Sequence, residues 1–296
     1  MARPFRFGVN LITSEAGAQW REKCRTAEAL GYDVITVADH LGMPAPFPAL
    51  VAAAEATERP RLGTITLNAG FWNPTLLARE VATTDQLTGG RLELGLGTGY
   101  VKAEHDAAGL PFGTPGRRVD HLRHTIEELD RRYGSDDFAP RPLQRPRPPL
   151  LVGGNGDRVL KLAAQHAEIA AFTGARSDPD DPNGMPRVIT AAQLEERVAA
   201  YRRFAADRAE PAELNLLISM VAVTGDRRAA LQPSLANVPH LTEEESLELP
   251  VILIGTVRQI ADQLRAQRER YGFSYLTVME PVMKEFAPVI EELRGE

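Results

Sequence analysis

Short hydrophobic runs alternate with segments of helical periodicity along the whole chain. Runs of roughly four to eight apolar residues predict buried strands, and apolar positions spaced three and four residues apart predict amphipathic helices. Strands are predicted at residues 5–11, 34–37, 61–67, 92–96, 150–152, 169–172, 214–223 and 275–278. Helices are predicted at residues 20–30, 48–58, 74–87, 117–132, 157–166, 191–207 and 257–271. This alternation, without a hairpin signal, predicts parallel strands joined by right-handed helical crossovers.

Eight strand and helix units in one chain favour a closed (β/α)8 TIM barrel over an open doubly wound sheet. At 296 residues the chain lies in the range in which such barrels fold as one unit, and no linker divides it, so we predict a single domain over residues 1–296. Two stretches are longer than a normal connection: residues 135–149 are rich in proline and arginine, and residues 173–189 follow the carboxyl end of a strand. The second is therefore predicted to be a loop insertion over the active-site face.

Composition and charge exclude several classes of function. The chain is 43% hydrophobic and 25% charged, no apolar run approaches the ~18 residues that cross a bilayer, and the amino terminus has no signal-peptide pattern. We therefore expect a cytoplasmic protein without a membrane partner. The net charge of −6 and the lack of a basic stripe argue against nucleic acid. With Cys24 as the single cysteine, neither a disulfide within the chain nor a cysteine-based metal cluster is expected, and no metal site is predicted.

In such a barrel, the ligand meets the loops that leave the carboxyl ends of the strands. The second strand leaves into Asp39 and His40, an ionisable pair that could position a ring, move a proton or bind a metal. The alternative is structural, with His40 packed and Asp39 capping the next segment. The third strand leaves into residues 68–73, whose mixture of polar and aromatic side chains suits either a planar ligand or a core plug with a polar rim.

Glycine-rich turns end the fourth and fifth strands. Around Gly97 and Thr98, alternating glycines let the backbone approach a ligand, although this alternation alone is a weak signal. The fifth strand leaves into a glycine-rich turn and then a helix, which aims backbone N–H groups and the positive end of the helix dipole at an anion. A tight strand-to-helix connection that binds no ligand would have the same glycine-rich sequence. The residues of this predicted phosphate site are Gly153, Gly154, Asn155, Gly156 and the basic Arg158.

The chain contains no P-loop lysine motif, no GxSxG elbow and no HExxH, so nucleotide hydrolysis, serine hydrolysis and zinc proteolysis are not supported. Several ordered segments instead resemble the bacterial luciferase-like superfamily, and more closely its branch of deazaflavin (coenzyme F420)-dependent oxidoreductases. These segments are GYDVITVADH (31–40), RLGT (61–64), NP (73–74) with ARE (78–80), LTGGRLELGLGTG (87–99) and PPLLVGG (148–154). The resemblance covers residues 5–172 and resumes at 254–278 and 286–288.

The resemblance implies a barrel that holds coenzyme F420 across its carboxyl-terminal face, with a small-molecule substrate stacked on the exposed face of the ring. Carried over by position, Asp39 and His40 would meet the ring and Asn68 would contact its edge. Ile65 and Thr66 would mark a bulge that supports the ring. In the family this bulge often contains a non-proline cis peptide. The glycine turn at 153–156 would cradle the phosphate, in agreement with the helix argument. Homodimers are common in the family, and the helix at 74–87 could form the dimer interface.

We therefore predict an F420-dependent oxidoreductase that transfers hydride between the deazaflavin ring and a small organic substrate. His40 and Tyr100 are the candidate proton donors for this chemistry. Family dehydrogenases carry an acid where this chain has Tyr100, so reduction of a C=C or C=N bond is favoured over oxidation. The alternatives are an FMN-dependent monooxygenase of the same superfamily and a non-catalytic flavin-binding barrel. Arg141, Arg145 and Arg147 could meet the polyglutamate chain that F420 carries and FMN lacks.

Overall fold

The structure is a computed structural model that describes residues 3–177 and 186–296. The strands are β1 (Arg6–Leu11), β2 (Val34–Val37), β3 (Arg61–Thr64), β4 (Leu67–Asn68), β5 (Leu92–Gly97), β6 (Leu150–Gly153), β7 (Ile169–Thr173), β8 (Ala175–Ser177), β9 (Pro186–Val188), β10 (Glu213–Leu217), β11 (Met220–Val223), β12 (Ile252–Gly255) and β13 (Phe273–Met279). The helices are α1 (Gly17–Ala29), α2 (Pro46–Ala56), α3 (Pro74–Leu87), α4 (Lys102–Ala108), α5 (Pro115–Tyr133), α6 (Asp157–His166), α7 (Ala191–Phe204), α8 (Arg227–Leu235), α9 (Glu243–Leu247), α10 (Val257–Tyr271) and α11 (Met283–Glu292).

Eight parallel strand positions close into a barrel with helices between them. Around the barrel the order is β1, β2, β3 with β4, β5, β6, β7, β10 and β13, and β13 pairs again with β1. The third position consists of two short strands, which pair with β5 at Leu62 opposite Leu92 and at Leu67 opposite Leu96. The predicted (β/α)8 TIM barrel is confirmed.

The predicted strand at 61–67 is interrupted at the Ile65–Thr66 peptide bond, which is cis, as the family resemblance implies. Glycines of β5 lie against this interruption. A Cβ added at Gly95 would lie 1.8 Å from the carbonyl oxygen of Thr64, and one added at Gly97 would lie 2.5 Å from Thr66 Oγ1. The close approach of the two backbones therefore requires glycine at residue 95, whereas Gly97 packs against the Thr66 side chain.

The predicted strand at 214–223 is wrong as a single element. β10 stays in the barrel, whereas β11 leaves it and pairs in parallel with β12 to form a separate two-stranded sheet. Apolar residues continue through both strands, so hydrophobicity alone does not show the break at residues 218–219. The excursion between β10 and β13 also contains α8 and α9, two helices that we do not predict from the sequence.

A cluster of charged side chains fills the amino-terminal end of the barrel. The Arg6 guanidinium contacts Glu93 Oε1 and Glu213 Oε2, each at 2.7 Å, and Arg61 Nε contacts Glu93 Oε1 at 2.6 Å. The Arg6 guanidinium also lies 4.6 Å from the centre of the buried Tyr275 ring. Because this cluster closes one end of the barrel, a ligand is expected at the other end, where the strands finish.

The arginine-rich segment at 135–149 joins α5 to β6, so it lies at the amino-terminal end of the barrel. The Arg147 side chain is 7% exposed and contacts Asp130 Oδ1 at 2.8 Å and Glu168 Oε2 at 2.7 Å. Arg141 contacts Asp136 Oδ1 at 2.9 Å. A helix-to-strand connection lies opposite the face at which a ligand is expected, so the position of these arginines argues against the hypothesis that they meet a coenzyme tail.

The segment at 173–189 contains the antiparallel strands β8 and β9, with Ala175 opposite Val188. The carbonyl oxygen of Val188 accepts a hydrogen bond from His240 Nε2 at 2.9 Å, which ties the hairpin to the segment between α8 and α9. Residues 178–185, the middle of the predicted loop insertion, lie outside the described residues. Within the described part of the chain, no helix is both long and apolar enough to cross a membrane.

Candidate active site

Asp39 follows β2 and is held by two donors from the exit of the third barrel position. Its Oδ2 atom accepts hydrogen bonds from the backbone N–H of Asn68 at 3.2 Å and from Trp72 Nε1 at 2.9 Å. Burial raises the pKa of Asp39, and these two donors oppose the rise. The Trp72 ring lies edge-on to Phe47, with ring centres 5.3 Å apart. The result is a fixed carboxylate whose Oδ1 makes no hydrogen bond to any described residue.

His40 is paired with an acid from α4. Its Nδ1 atom lies 2.9 Å from Glu104 Oε1 and 3.1 Å from Oε2, and both side chains are largely buried. A carboxylate at Nδ1 fixes the imidazole with its hydrogen on that nitrogen, or stabilises the imidazolium. Nε2 makes no hydrogen bond within residues 3–177 and 186–296, so it is the nitrogen that can face a ligand.

Glu104 is the site residue that the sequence reasoning misses. The residue directly after the glycine run is Tyr100, where family dehydrogenases carry an acid, but Glu104 in the first turn of α4 brings an acid to His40 from four residues later. The only available signal is an acidic residue in the first turn of a helix just after the glycine run at 95–99. Tyr100 itself lies edge-on to His40, with ring centres 5.6 Å apart. Burial, together with the charge of Glu104, raises the pKa of Tyr100.

The Asn68 side chain takes part in two internal hydrogen bonds. Oδ1 accepts from the Gly70 N–H at 3.0 Å, and Nδ2 donates to His105 Nε2 at 2.9 Å, while His105 Nδ1 donates to the Pro111 carbonyl at 3.1 Å. A contact with a ring edge would use the second N–H of Asn68 or the second lone pair of Oδ1. Gly99 packs on this amide, since an added Cβ would lie 2.2 Å from Asn68 Oδ1. Neighbouring residues of α4, Glu104 and His105, thus anchor that helix to two strand ends.

Ile65 and Thr66 are half-buried at the mouth of the barrel, and the structure brings them together with Gly97 and Gly153. A Cβ added at Gly153 would lie 3.0 Å from Thr66 Cγ2. The carbonyl of Thr66 accepts a hydrogen bond from the backbone N–H of Asp39 at 3.4 Å. These contacts form a platform beside Asp39, and the half-buried Thr98 lies at the next exit.

The predicted phosphate turn lies between β6 and α6. Asn155 Nδ2 donates to the carbonyl oxygens of Thr173 at 2.7 Å and Ala175 at 2.6 Å, so this side chain ties the turn to the end of β7. Gly156 is the N-cap of α6 without a side-chain cap, and a Cβ added there would meet nothing within 4 Å. The backbone N–H groups at the start of α6 therefore border open space.

A cavity of about 390 Å³ lies at the start of α5 and α6. Arg158 and Arg197 both line it, and each is paired with an aspartate: Arg158 Nη2 contacts Asp120 Oδ1 at 2.6 Å, and Arg197 Nη1 contacts Asp157 Oδ1 at 2.5 Å. Arg197 comes from α7, and no local sequence signal points to it. Because both charges are partly neutralised, the helix N–H groups are the main donors available to an anion.

In the part of the chain that the structure describes, no group of three or more His, Cys, Asp or Glu side chains is arranged to hold a metal ion.

The chain belongs to the luciferase-like monooxygenase family, whose profile matches residues 1–275. The oxygenase component of flavin-dependent trigonelline monooxygenase from Acinetobacter baylyi is 30% identical over 162 residues, 49% of this chain and 45% of that protein. FMNH2-dependent dimethylsulfone monooxygenase from Pseudomonas putida is 28% identical over 233 residues, 67% of this chain and 63% of that protein. The matched region thus spans less than two thirds of either relative. A third relative, 5,10-methylenetetrahydromethanopterin reductase from Methanopyrus kandleri, is 26% identical over 235 residues, 69% of this chain and 67% of that protein.

Solved structures share the fold at lower identity. Monooxygenase RslO1 from Streptomyces bottropensis has a TM-score of 0.73 and 20% identity, covering 97% of this chain and 99% of that one. The coenzyme F420-dependent tetrahydromethanopterin reductase from Methanopyrus kandleri has a TM-score of 0.75 and 18% identity, covering 97% of both chains. These relatives and structural neighbours thus include proteins named as flavin- or FMNH2-dependent monooxygenases and one named as a coenzyme F420-dependent reductase.

Proposed function

We propose that this protein is an F420-dependent oxidoreductase that transfers hydride between the deazaflavin ring and a small organic substrate. The observation that carries the proposal is the His40–Glu104 pair, 2.9 Å apart at the barrel mouth. When bound, the coenzyme supplies the hydride donor or acceptor. The residues of the chain supply position and a proton. The pair also anchors α4, but His40 Nε2 has no hydrogen-bond partner among the described residues, which favours an enzyme over a non-catalytic barrel.

The residues present fit a flat ring with a phosphate-bearing tail. Ile65 and Thr66 offer the platform, with Asp39 and Asn68 at its side. Gly97 and Thr98 border it at the end of β5. The turn formed by Gly153, Gly154, Asn155 and Gly156 would hold the phosphate through the N–H groups of α6, with Arg158 nearby.

In this assignment, His40 transfers the proton to or from the substrate, and Glu104 stabilises the imidazolium form of His40. Tyr100, beside the His40 ring, is the second candidate donor. The pair serves both directions, since it gives a proton in reduction and accepts one in oxidation. We favour reduction of a C=C or C=N bond because Leu41 and Tyr100, 53% and 41% exposed, make the rim beside His40 apolar, which suits a substrate poor in hydroxyl groups.

FMN-dependent monooxygenation is the second candidate, because two of the relatives are named as flavin- or FMNH2-dependent monooxygenases. Fluorescence titration of the purified chain with F420 and with FMN separates the two. Tight binding of F420 supports the first proposal. Tight binding of FMN with no binding of F420 would overturn it in favour of the second.

Gly156→Asp tests the phosphate turn. The new carboxylate would enter the open space at the start of α6 and repel a phosphate, so we expect the affinity for FMN or F420 to fall by about tenfold or more (~1.4 kcal/mol). Riboflavin lacks the phosphate and serves as the control ligand. Equal losses for FMN and riboflavin would show that the phosphate lies elsewhere.

The homodimer expected from the resemblance remains a proposal. α3 packs Leu77, Ala78 and Val81 on the barrel and leaves Leu76 and Leu87 about half exposed on its outer side. Sedimentation velocity of the purified chain tests the proposal, and a monomer at micromolar concentration would contradict it.

A further inference from the structure

A second cavity, of about 250 Å³, lies beside Asp39 and is separate from the phosphate turn. It is formed by the loop after β2 and the start of α2, residues 39–48, together with Trp72. Its volume lies below the ~300–1,000 Å³ of sites that take drug-sized ligands, so it suits a small molecule.

The walls of this cavity are mainly apolar. They include Leu41, Met43, Pro44, Phe47 and Trp72. Leu41 is 53% exposed, and Trp72 and Phe47 meet edge to face with ring centres 5.3 Å apart. A ligand that covers exposed apolar side chains on a concave surface removes apolar area from water, and this burial favours binding.

The charge beside these walls is negative. Asp39 and His40 are the ionisable residues that line the cavity, and neither lysine nor arginine is among the described residues that form it. Oδ2 of Asp39 is occupied by Trp72 and Asn68, which leaves Oδ1 without a partner in the described residues. Glu104, bound to His40, adds a second carboxylate nearby. A positively charged group would find both a carboxylate and an aromatic wall here, whereas an anion would meet the carboxylate of Asp39.

We propose that this cavity binds the substrate, and that the substrate is a small, mainly apolar molecule with one positively charged nitrogen. The nitrogen lies toward Asp39 Oδ1, and the apolar body lies between Leu41 and Trp72. This inference rests on the proposed function in one respect, since it takes the cavity to be the substrate side of the ring site. It disfavours phosphorylated and carboxylated substrates.

Three probes of nearly equal size separate charge from shape: benzylamine, benzyl alcohol and benzoate. Ligand-observed NMR titrations of the full chain, without coenzyme and then with saturating coenzyme, give the three dissociation constants. We expect benzylamine to bind about tenfold or more tightly than benzoate (~1.4 kcal/mol), with benzyl alcohol between them. Absence of binding by all three probes, or equal or tighter binding of benzoate, would overturn the proposal.

Asp39→Asn removes the charge but keeps an acceptor for Trp72 and Asn68. We expect it to abolish the preference for benzylamine over benzyl alcohol while the affinity for benzyl alcohol changes by less than about twofold. Met43→Arg, on the exposed loop, places a positive charge in the wall without touching Asp39, and it should favour benzoate. Leu143→Arg, exposed at the other end of the barrel, is the matched control and should leave all three affinities unchanged.

A preference for benzylamine that survives in both Asp39→Asn and Met43→Arg would overturn the proposal. The titrations without coenzyme do not depend on whether F420 or FMN binds, so they are independent of the coenzyme titrations. Normal F420 binding without a preference for the amine removes only the substrate inference. A clear preference without any F420 or FMN binding removes only the proposed function.

Discussion

Replacing His40 with alanine is expected to lower kcat by about 10²- to 10⁴-fold while the dissociation constant of the coenzyme changes by less than about threefold. The reason is that Nδ1 of His40 is held by Glu104 at 2.9 Å while Nε2 makes no hydrogen bond to a described residue, which leaves Nε2 available for proton transfer. Steady-state kinetics measure kcat, and equilibrium fluorescence titration measures the dissociation constant of the coenzyme.

Glu104→Gln is the matched variant for this test. The amide keeps the size of the side chain and an oxygen near Nδ1, but it loses the charge that stabilises the imidazolium. We expect about a tenfold loss in kcat, smaller than that of His40→Ala, with KM nearly unchanged. If His40→Ala abolishes coenzyme binding while the single-turnover rate of the remaining complex is normal, His40 is a binding residue only.

The second large effect is on stability. Gly95→Ala is expected to cost about 3 kcal/mol or more of the free energy of unfolding, or to prevent folding, because the new Cβ would lie 1.8 Å from the carbonyl oxygen of Thr64. That oxygen belongs to the backbone of β3, so the clash is relieved only if β3 and β5 move apart. This movement would occur next to the Ile65–Thr66 platform. Urea denaturation gives the free energy of unfolding.

Gly156→Ala is the control for Gly95→Ala. A Cβ at Gly156 meets nothing within 4 Å and the residue has a φ of −74°, so the free energy of unfolding should change by less than about 1 kcal/mol. Similar stabilities for the two variants would contradict the close approach of β3 and β5.

Much of the barrel can be predicted from the sequence because its strands are short apolar runs separated by amphipathic helices. Each of these patterns can be recognised within a few consecutive residues, without knowledge of distant contacts. The break inside 61–67 is different, since only the family resemblance points to the Ile65–Thr66 bond. The break at 218–219 escapes prediction because β10 and β11 are both apolar, and the pairing of β11 with β12 depends on contacts distant in sequence.

The candidate site is predictable only in part, for a related reason. Asp39, His40 and the glycine turns lie directly after strands, so topology alone places them at the mouth of the barrel. Glu104 reaches His40 across 64 positions of the chain, and nothing local marks that contact. Arg147 shows the opposite error: local composition suggests an anion site, but its loop follows a helix, and the arginine is used to hold Asp130 and Glu168.

A crystal structure of the protein with F420 would show where the coenzyme ring lies. The expected result is a ring packed on the Ile65–Thr66 platform, with His40 at its open face and the phosphate at the N–H groups of α6. A ring bound away from the barrel mouth would contradict the proposed ring site. A phosphate held away from the turn at 153–156 would contradict the proposed phosphate site.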